Sequence, residues 1–276
     1  MHNGKNFVTI HNIQSKSMKK VLLALGLLSG IFSVTSLNAQ EQDVYYSLDS
    51  KKWKFGAYLA PTVSWMRPTA NKSDDGKFNT SNDGSKVGFT YGLMADYRFA
   101  PNYSVVTGLQ INMAGGHIIA DAVDQSYNPD TRNVLKSDFD YKLQYLEVPV
   151  ALKMRTNAVS GIRFFGQLGI NTSINIAKKT TFEVLMNENG TAQTYSDDNI
   201  KLKGLSVSPI LFSMSIGAGL EYPINDDLSG YFGIFFNNGF APDVTNPKRY
   251  TLPYNSEFFD GNVRLNNFAF RFGLLF

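Results

Sequence analysis

Apolar residues alternate with other residues through long parts of the chain, and this alternation predicts β-strands. In residues 141–155, YKLQYLEVPVALKMR, apolar positions recur at intervals of two, which is the spacing of a strand rather than of a helix. The segment is longer than the usual strand of a soluble protein, which has about 5–6 residues. A transmembrane strand needs about 9–11 tilted residues, so the segment is long enough to cross a bilayer and project beyond it.

Seven other segments of similar length repeat this pattern. In 87–99, for example, Val87, Phe89 and Leu93 fall on one face of the strand, whereas Asp96 and Arg98 fall on the other. Together these segments predict eight strands, at 53–66, 87–99, 103–115, 139–155, 161–176, 205–224, 228–240 and 263–276.

The connections between the predicted strands alternate in length. Short turns lie at 100–102, 156–160 and 225–227. Short turns at one end and long loops at the other are typical of outer-membrane barrels, whose short turns are periplasmic, and four long structureless loops count against a compact soluble domain. We therefore predict an all-β fold, an eight-stranded antiparallel transmembrane β-barrel over 53–276 with short periplasmic turns and long extracellular loops. The long polar connections are 67–86, 116–138, 177–204 and 241–262.

The alternation changes phase within 141–155. Tyr141 and Tyr145 lie on one face of a regular strand, whereas Val148 and Val150 lie on the other. One extra residue would restore a consistent lipid face, so we predict a β-bulge between Tyr145 and Pro149. Proline is tolerated at bulges because it lacks a donor for the strand ladder.

The N-terminal part of the chain has the pattern of a secretory signal peptide. Lys19 and Lys20 precede the apolar run VLLALGLLSGIFSV, and the small residue Ala39 precedes Gln40, which is the order of a signal peptide and its cleavage site. We expect an upstream extension and cleaved signal peptide at 1–39, followed by a periplasmic lead-in at 40–52. An uncleaved anchor is the alternative.

The charge balance changes once the signal peptide is set aside. The whole chain has 26 basic and 23 acidic residues, a formal net charge of +3. Residues 1–39 hold four of the lysines and no acidic residue, so 22 basic and 23 acidic residues remain, a net charge of −1. The basic balance is therefore no sign of nucleic-acid binding. The chain has no cysteine, which excludes disulfides and thiolate metal sites.

Aromatic residues at the strand ends predict the two girdles that flank the apolar band of a membrane barrel. The periplasmic girdle is predicted to comprise Trp53, Phe55, Tyr97, Phe99, Tyr103 and Tyr222. The outer girdle is predicted to comprise Trp65, Phe89, Tyr141 and Phe240.

The last predicted strand has an aromatic or apolar residue at every second position and ends on phenylalanine. This spacing resembles the signal that the outer-membrane assembly machinery reads, so we expect that machinery and outer-membrane lipid as partners. An ordinary lipid-facing strand would explain the alternation but not the terminal phenylalanine. The residues of the predicted assembly signal are Phe268, Phe270, Phe272, Leu274 and Phe276.

Charged residues on the inward phase of the strands predict a charge network inside the barrel. Isolated charges in a narrow interior are costly, so they must pair or hold water. We expect Glu221 and Asp96 to bridge among arginines and to form a charged plug that closes the periplasmic end. The predicted network comprises Lys54, Asp96, Arg98, Glu147, Lys153, Arg163, Glu221 and Arg271.

Candidate catalytic chemistry is sparse. His117 is the sole histidine outside the predicted signal region, and the nearest serine is Ser126. A lipid-cleaving barrel would need a serine beside the histidine to be activated as nucleophile, so we predict no enzymatic activity. Acidic residues are scattered over the predicted loops without the spacing of a calcium loop, and no G-x-G-x-x-G precedes a helix. We therefore expect no catalytic, metal or cofactor site.

Several motifs resemble those of the PorT-like outer-membrane β-barrels of Gram-negative bacteria. They are KWKFGAYLAP, GFTYGLMADYRFAPNYSVVTGLQINMAGG, QYLEVPVALK and the closing RFGLLF, and the resemblance runs over 53–276. YLEVPVALK is the distinctive piece, whereas the first and last motifs are generic for barrels. The resemblance implies an integral outer-membrane protein. One branch of the family serves a protein-secretion system, and no motif ties this chain to it.

Strand number limits the functions of such a barrel. Eight strands enclose an interior just wide enough for side chains, whereas open aqueous channels need about sixteen. We therefore predict a non-enzymatic structural or binding barrel in the cell outer membrane, presenting four surface loops to a partner that the sequence does not identify. The alternatives are a narrow channel or porin for small solutes, and the barrel subunit of a protein-secretion machinery.

Overall fold

The structure is a computed structural model that describes residues 51–72, 76–125, 129–130, 132–200, 206–245 and 262–276. The predicted signal peptide and all but the last two residues of the 40–52 lead-in lie outside this part of the chain. Within the described ranges, no helix is long and apolar enough to cross a membrane.

The described residues form one antiparallel sheet whose eight long strands close into a ring. Around the ring the order is β1, β3, β4, β5, β6, β9, β10 and β12, and β12 pairs back onto β1. The prediction of an eight-stranded antiparallel barrel is therefore confirmed. The strands are β1 (Trp53–Pro68), β2 (Phe78–Asn82), β3 (Lys86–Ala100), β4 (Tyr103–Ala122), β5 (Arg132–Arg155), β6 (Arg163–Glu188), β7 (Thr191–Ile200), β8 (Ser206–Val207), β9 (Ile210–Pro223), β10 (Ser229–Gly239), β11 (Val244–Thr245) and β12 (Val263–Leu275).

The predicted short turns join β3 to β4, β5 to β6 and β9 to β10. Asn225 shapes the last of these, because its Oδ1 accepts a hydrogen bond from the Asp227 backbone N–H at 3.0 Å. The middle turn places Ser160 and Gly161 at φ angles of 51° and 79°, in the left-handed region that short turns use. All three turns lie at one end of the barrel.

The long connections differ from the prediction, because much of their length is strand. β4, β5 and β6 continue well past their predicted ends, and β2 and β7 add to the sheet by pairing with β4 and β6. A two-residue turn joins β6 to β7, with Asn189 at a φ of 54° and Gly190 at 85°. Asn-Gly between two strands is a strong hairpin signal, and the prediction of a polar loop overlooked it.

The predicted bulge between Tyr145 and Pro149 is wrong. Burial alternates without interruption along β5 from Ser137 to Arg155, and β5 keeps a single register against β4. The irregularity lies in the facing strand instead, where Gln144 pairs with Ala177 but Tyr145 pairs with Asn175. The backbone phase of β5 is therefore constant, and only the polarity of its two faces changes.

This change of polarity divides the barrel into two zones. In the lower one, the membrane zone, the outward residues of β5 are Val148, Val150 and Leu152, which are 40%, 54% and 41% exposed. An outward apolar band over a polar interior is the pattern of strands that face lipid. The inward residues here include Glu147 and Lys153, both buried.

The upper zone, which we call the extracellular extension, has the opposite arrangement. It comprises residues 115–122 of β4, 132–145 of β5 and 177–188 of β6, together with β2 and β7. Its outward residues on β5 are polar, and its inward residues pack into an apolar core. Aromatic rings lead this core, with Phe139 and Phe182 centroids 6.2 Å apart. Other core members are Met66, Ile118, Tyr141, Leu143, Tyr145, Val184 and Met186.

Candidate functional site

The interior of the membrane zone contains four charged side chains in contact. Lys153 on β5 donates through Nζ to Asp96 Oδ2 at 2.9 Å and to Glu221 Oε1. Arg155 lies two residues further along the same inward face. Its Nη1 is 3.5 Å from Glu221 Oε2, and its Nη2 is 3.9 Å from Asp96 Oδ1. The strand alternation places these two cations between carboxylates from β3 and β9. We call this group the lower charge cluster.

Aromatic rings complete the surroundings of this cluster. Lys153 Nζ lies 4.9 Å from the Phe165 ring centroid and 5.3 Å from that of Tyr231. Arg271 on β12 is held in the same way, 4.1 Å from the Phe235 centroid and 5.0 Å from that of Tyr58. Buried charges are costly unless paired and in contact with groups that favour them, and cation–π contacts add to the pairing once water is removed. The arrangement fills this level of the lumen with side chains.

The eight predicted lumen residues do not all share this environment. Arg98 and Arg163 are only half-buried, near the strand ends. Glu221 and Asp96 bridge Lys153 and one arginine, Arg155, which is not among the predicted arginines. The prediction omitted Arg155, although its position, two after Lys153, was a sufficient signal. The six that are buried inside the barrel are Lys54, Asp96, Glu147, Lys153, Glu221 and Arg271.

A polar layer lies above the lower charge cluster and is centred on Glu147. Its carboxylate accepts hydrogen bonds from Gln110 Nε2, from Asn112 Nδ2 at 3.0 Å and from Ser173 Oγ at 3.2 Å. Tyr58 in turn donates its hydroxyl hydrogen bond to Gln110. Glu147 also borders a cavity of about 30 Å³, which is room for about two water molecules.

Asp243 forms the top of this polar layer. It lies between β10 and β11, beyond Phe240, and its side chain enters the barrel. Tyr145 Oη donates to Asp243 Oδ1 at 3.0 Å, and the Leu265 backbone N–H donates to Oδ2 at 2.7 Å. Burial raises the pKa of the Asp243 carboxyl to about 7, although the two donors oppose this rise. No sequence signal pointed to Asp243, because the residue falls inside a predicted loop.

Asparagines connect this layer across neighbouring strands. Asn171 Nδ2 donates to Asn237 Oδ1 at 3.2 Å, and Asn237 Nδ2 donates to Asn267 Oδ1 at 2.7 Å. Because an amide carries both donors and an acceptor, such side chains can form a chain of bonds inside a narrow polar lumen. The interior thus passes from paired charges, through a layer of amides around Glu147, to an apolar core from the short-turn end upward.

Most residues of the predicted aromatic girdles lie on the outer surface, with one correction. At the short-turn end, Trp53 packs on Tyr97 with ring centroids 4.7 Å apart. At the other end, Trp65 lies 5.6 Å from Phe268. The placement of Tyr141 in the outer girdle is wrong, because Tyr141 is fully buried in the core of the extracellular extension. The remaining girdle residues face outward: Phe55, Phe89, Phe99, Tyr103, Tyr222 and Phe240.

The residues of the predicted assembly signal share the outward face of β12. The Phe276 backbone N–H donates to the Phe55 carbonyl at 2.7 Å, which holds the end of the chain against β1. Four side chains of the signal are exposed and Phe270 is half-buried. The role of these residues in assembly stays a prediction.

His117 lies on a strand rather than in a loop. It is on the outward face of β4 in the extracellular extension, between the carboxylates of Asp83 and Asp138. The sequence separates these three residues by 21 to 55 positions, so no local motif could have joined them.

A family model described as "Outer membrane protein beta-barrel domain" matches residues 38–238. The chain therefore belongs to this family of outer-membrane β-barrels. Comparison with curated protein sequences gives no match.

Solved structures of outer-membrane barrels resemble the chain. Neisserial surface protein A is 12% identical, with 82% of this chain and 96% of that chain covered and a TM-score of 0.39. OprG from Pseudomonas aeruginosa is 13% identical, with coverages of 81% and 94% and a TM-score of 0.37. Ail, the attachment invasion locus protein of Yersinia pestis, is 14% identical, with coverages of 82% and 100% and a TM-score of 0.34.

Proposed function

We propose that this protein is a PorT-like outer-membrane barrel that is closed to solutes, has no enzymatic activity, and serves as a structural or binding barrel through its extracellular extension. In this proposal the chain is exported with a signal peptide that is cleaved after Ala39. Mass mapping of the mature N-terminus would contradict that step if Lys19 were retained.

The lower charge cluster is the observation that carries the proposal. Lys153 is 0% exposed and Asp96 is 1% exposed, although both belong to a barrel whose short-turn end opens to water. Two cations and two carboxylates packed between Phe165, Tyr231 and neighbouring strands support a barrel that is closed at this level. A conducting pore requires hydrated charged groups along its wall, whereas these groups are withdrawn from solvent.

The extracellular extension supports the binding part of the proposal. β5 and β6, of 24 and 26 residues, are far longer than the about 9–11 residues that a transmembrane strand needs. The extra length has its own apolar core, so it presents a rigid surface rather than mobile loops. Rigid elements hold a binding surface more precisely than loops do.

Planar-bilayer recording of the purified protein tests the closed state. The wild type should give no steady current, whereas a Lys153→Ala/Glu221→Ala double variant should open a small conductance, because it removes both the ion pairing and side-chain volume. The exposed pair Lys51 and Asp227, 3.0 Å apart, provides the matched control, and its double alanine variant should stay silent. A steady large current from the wild type would reject the proposal in favour of a channel.

Cross-linking in intact cells followed by mass spectrometry tests the binding role. Recovery of an external ligand or surface protein on the extracellular extension would support it. Recovery of secretion components as the main cross-linked partners would instead favour the barrel subunit of a secretion machinery.

A further inference from the structure

Three segments meet on the outward face of the extracellular extension and bring a histidine and two carboxylates together. His117 lies on β4, Asp138 lies on β5, and Asp83 lies in the connection from β2 to β3. One imidazole nitrogen and one oxygen from each carboxylate all lie within 4.8 Å of one another. In a tetrahedral metal site with bonds of about 2.1 Å, the ligand atoms lie roughly 3.4 Å from one another. Small side-chain rotations would bring the three atoms to that separation.

The backbone holds these side chains in place. In the β4–β5 ladder Asp138 pairs with Ile119, so its side chain is a diagonal neighbour of His117 on the same face. The Asp83 backbone N–H donates to the His117 carbonyl at 3.1 Å. Asn82 Nδ2 donates to the Met66 carbonyl and so ties the turn to β1. The candidate ligands are thus mounted on strands and on a turn fastened to them.

The hydrogen bonds of His117 determine what its second nitrogen faces. Nδ1 lies 3.1 Å from the Asp83 backbone carbonyl, which is an acceptor only, so Nδ1 carries the hydrogen. In the neutral imidazole, Nε2 then presents a lone pair, and it contacts the carboxylate oxygen Asp138 Oδ1. Two acceptors in contact need a cation between them, either a proton or a metal ion.

The charge of the cluster favours a divalent ion. Asp83 Oδ2 lies 3.4 Å from Nδ1, on the opposite edge of the ring from Asp138, so two negative charges flank one neutral ring and the Asp83 side chain must rotate to reach an ion at Nε2. A proton offsets one of these charges, whereas a divalent metal offsets both. Mixed imidazole and carboxylate ligands suit zinc and its neighbours among the transition metals, whereas calcium and magnesium take oxygen ligands.

We propose that Asp83, His117 and Asp138 bind one divalent transition-metal ion of the zinc type. Three protein ligands leave a fourth position for water or for a group of another molecule. The side chains are 55%, 32% and 29% exposed, so the ion reaches the site directly from the medium. The metal joins the β2–β3 connection to the sheet, and this proposal is independent of whether the lumen conducts.

Titration of the purified full-length protein in detergent with Zn²⁺, in competition with a fluorescent chelator, tests the site. We expect the protein to bind one Zn²⁺ ion in competition with the chelator. Binding should depend on His117, and an equal concentration of Ca²⁺ or Mg²⁺ should not displace the ion. His117→Ala and Asp138→Asn should each weaken binding by at least about tenfold, the size of effect seen even for supporting groups of metal sites. Asp121 is an outward aspartate on β4, the strand of His117, so Asp121→Asn is the matched control. This variant should bind Zn²⁺ as the wild type does.

Cu²⁺ binding provides a second measurement, and substitution of His117 would not change it if His117 had only a structural role. Cu²⁺ bound to the wild type should show nitrogen coupling in its electron paramagnetic resonance spectrum, and His117→Ala should remove that coupling. Asp83 lies in an exposed turn, so Asp83→Asn tests the site even if a variant on a strand fails to fold. Absence of saturable Zn²⁺ binding, or equal binding by wild type and His117→Ala, would overturn the proposal and leave a histidine bridged to its carboxylates by a proton.

Discussion

The two zones of the barrel use the same strands with opposite polarity, and β5 shows this within a single strand. In the extracellular extension its inward residues include Phe139 and Tyr141, and its outward residues include Asp138 and Lys142. In the membrane zone the inward residues include the charged Glu147, Lys153 and Arg155, and the outward residues are valine, leucine and methionine. The backbone alternates identically in both zones.

The difference shows that the medium outside the sheet decides which face is apolar. Where water lies outside, burial of apolar area favours an apolar interior, at roughly 25 cal/mol per Å². Where lipid lies outside, apolar side chains gain nothing by turning inward, and polar side chains must find partners inside. The change of phase along 141–155 therefore marks the level at which the sheet leaves the membrane.

The interiors of the two zones should also lose stability for different reasons. The lower interior depends on charge pairs, so removing one partner leaves an unpaired buried charge. The upper interior depends on packing, and at its base the polar layer ends at Asp243, whose pKa is raised by burial to about 7. The following variants test these differences.

Glu221→Gln should have the largest effect, because it leaves Lys153 and Arg155 with Asp96 as their one remaining carboxylate in the lower charge cluster. Breaking a buried pair costs about 3–5 kcal/mol, and urea unfolding in lipid vesicles measures that loss. Asp227→Asn breaks the exposed pair with Lys51 at the same end of the barrel and should cost about 0–1 kcal/mol. Equal costs for the two variants would remove the distinction between a buried cluster and a surface pair.

Val150→Lys tests where lipid meets the outer face of β5. A lysine near the bilayer midplane costs about 2–4 kcal/mol in a membrane barrel. Lys142→Val makes a change of similar size on the same face but in the extracellular extension, where the side chain is exposed, and should alter the free energy of unfolding by no more than the about 0–1 kcal/mol of a surface ion pair. A large cost at Lys142, or none at Val150, would place the boundary between the zones elsewhere.

Asp243 should make the stability of the extracellular extension depend on pH. Its pKa is raised from 3.8 to about 7, so the folded state binds the proton more tightly than the unfolded state does. The stability from this group is complete below the unfolded pKa and is lost as pH rises through about 7. Between pH 5 and pH 8 the loss should be ~2 kcal/mol, measured by hydrogen exchange of the β5 and β6 amides.

Two variants sharpen the pH measurement. Asp243→Asn should remove the pH dependence, because no titrating group remains at that position. Tyr145→Phe should move the transition to higher pH, because it removes a hydrogen-bond donor that favours the charged carboxylate. An unchanged profile in Asp243→Asn would assign the dependence to another group.

The barrel, and most of the residues on its outer face, could be predicted from the amino-acid pattern. Alternation at period two requires strands with two unlike faces, and three short turns alternating with long connections require an antiparallel ring with two unlike ends. Strand parity alone placed Lys153 and Glu221 inside and Trp53 outside. These features depend on local geometry and on one repeated pattern, so a single chain reveals them.

Features that depend on contacts between distant residues could be seen only in the folded protein. Whether Tyr141 faced lipid or a core depended on how far the sheet projects from the membrane, which periodicity does not encode. Asp243 entered the interior through the partners that surround it, and His117 met Asp83 and Asp138 only because two strands and a turn place them side by side. Alternation specifies which residues share a face, whereas closure of the barrel specifies which faces meet and what medium lies outside them.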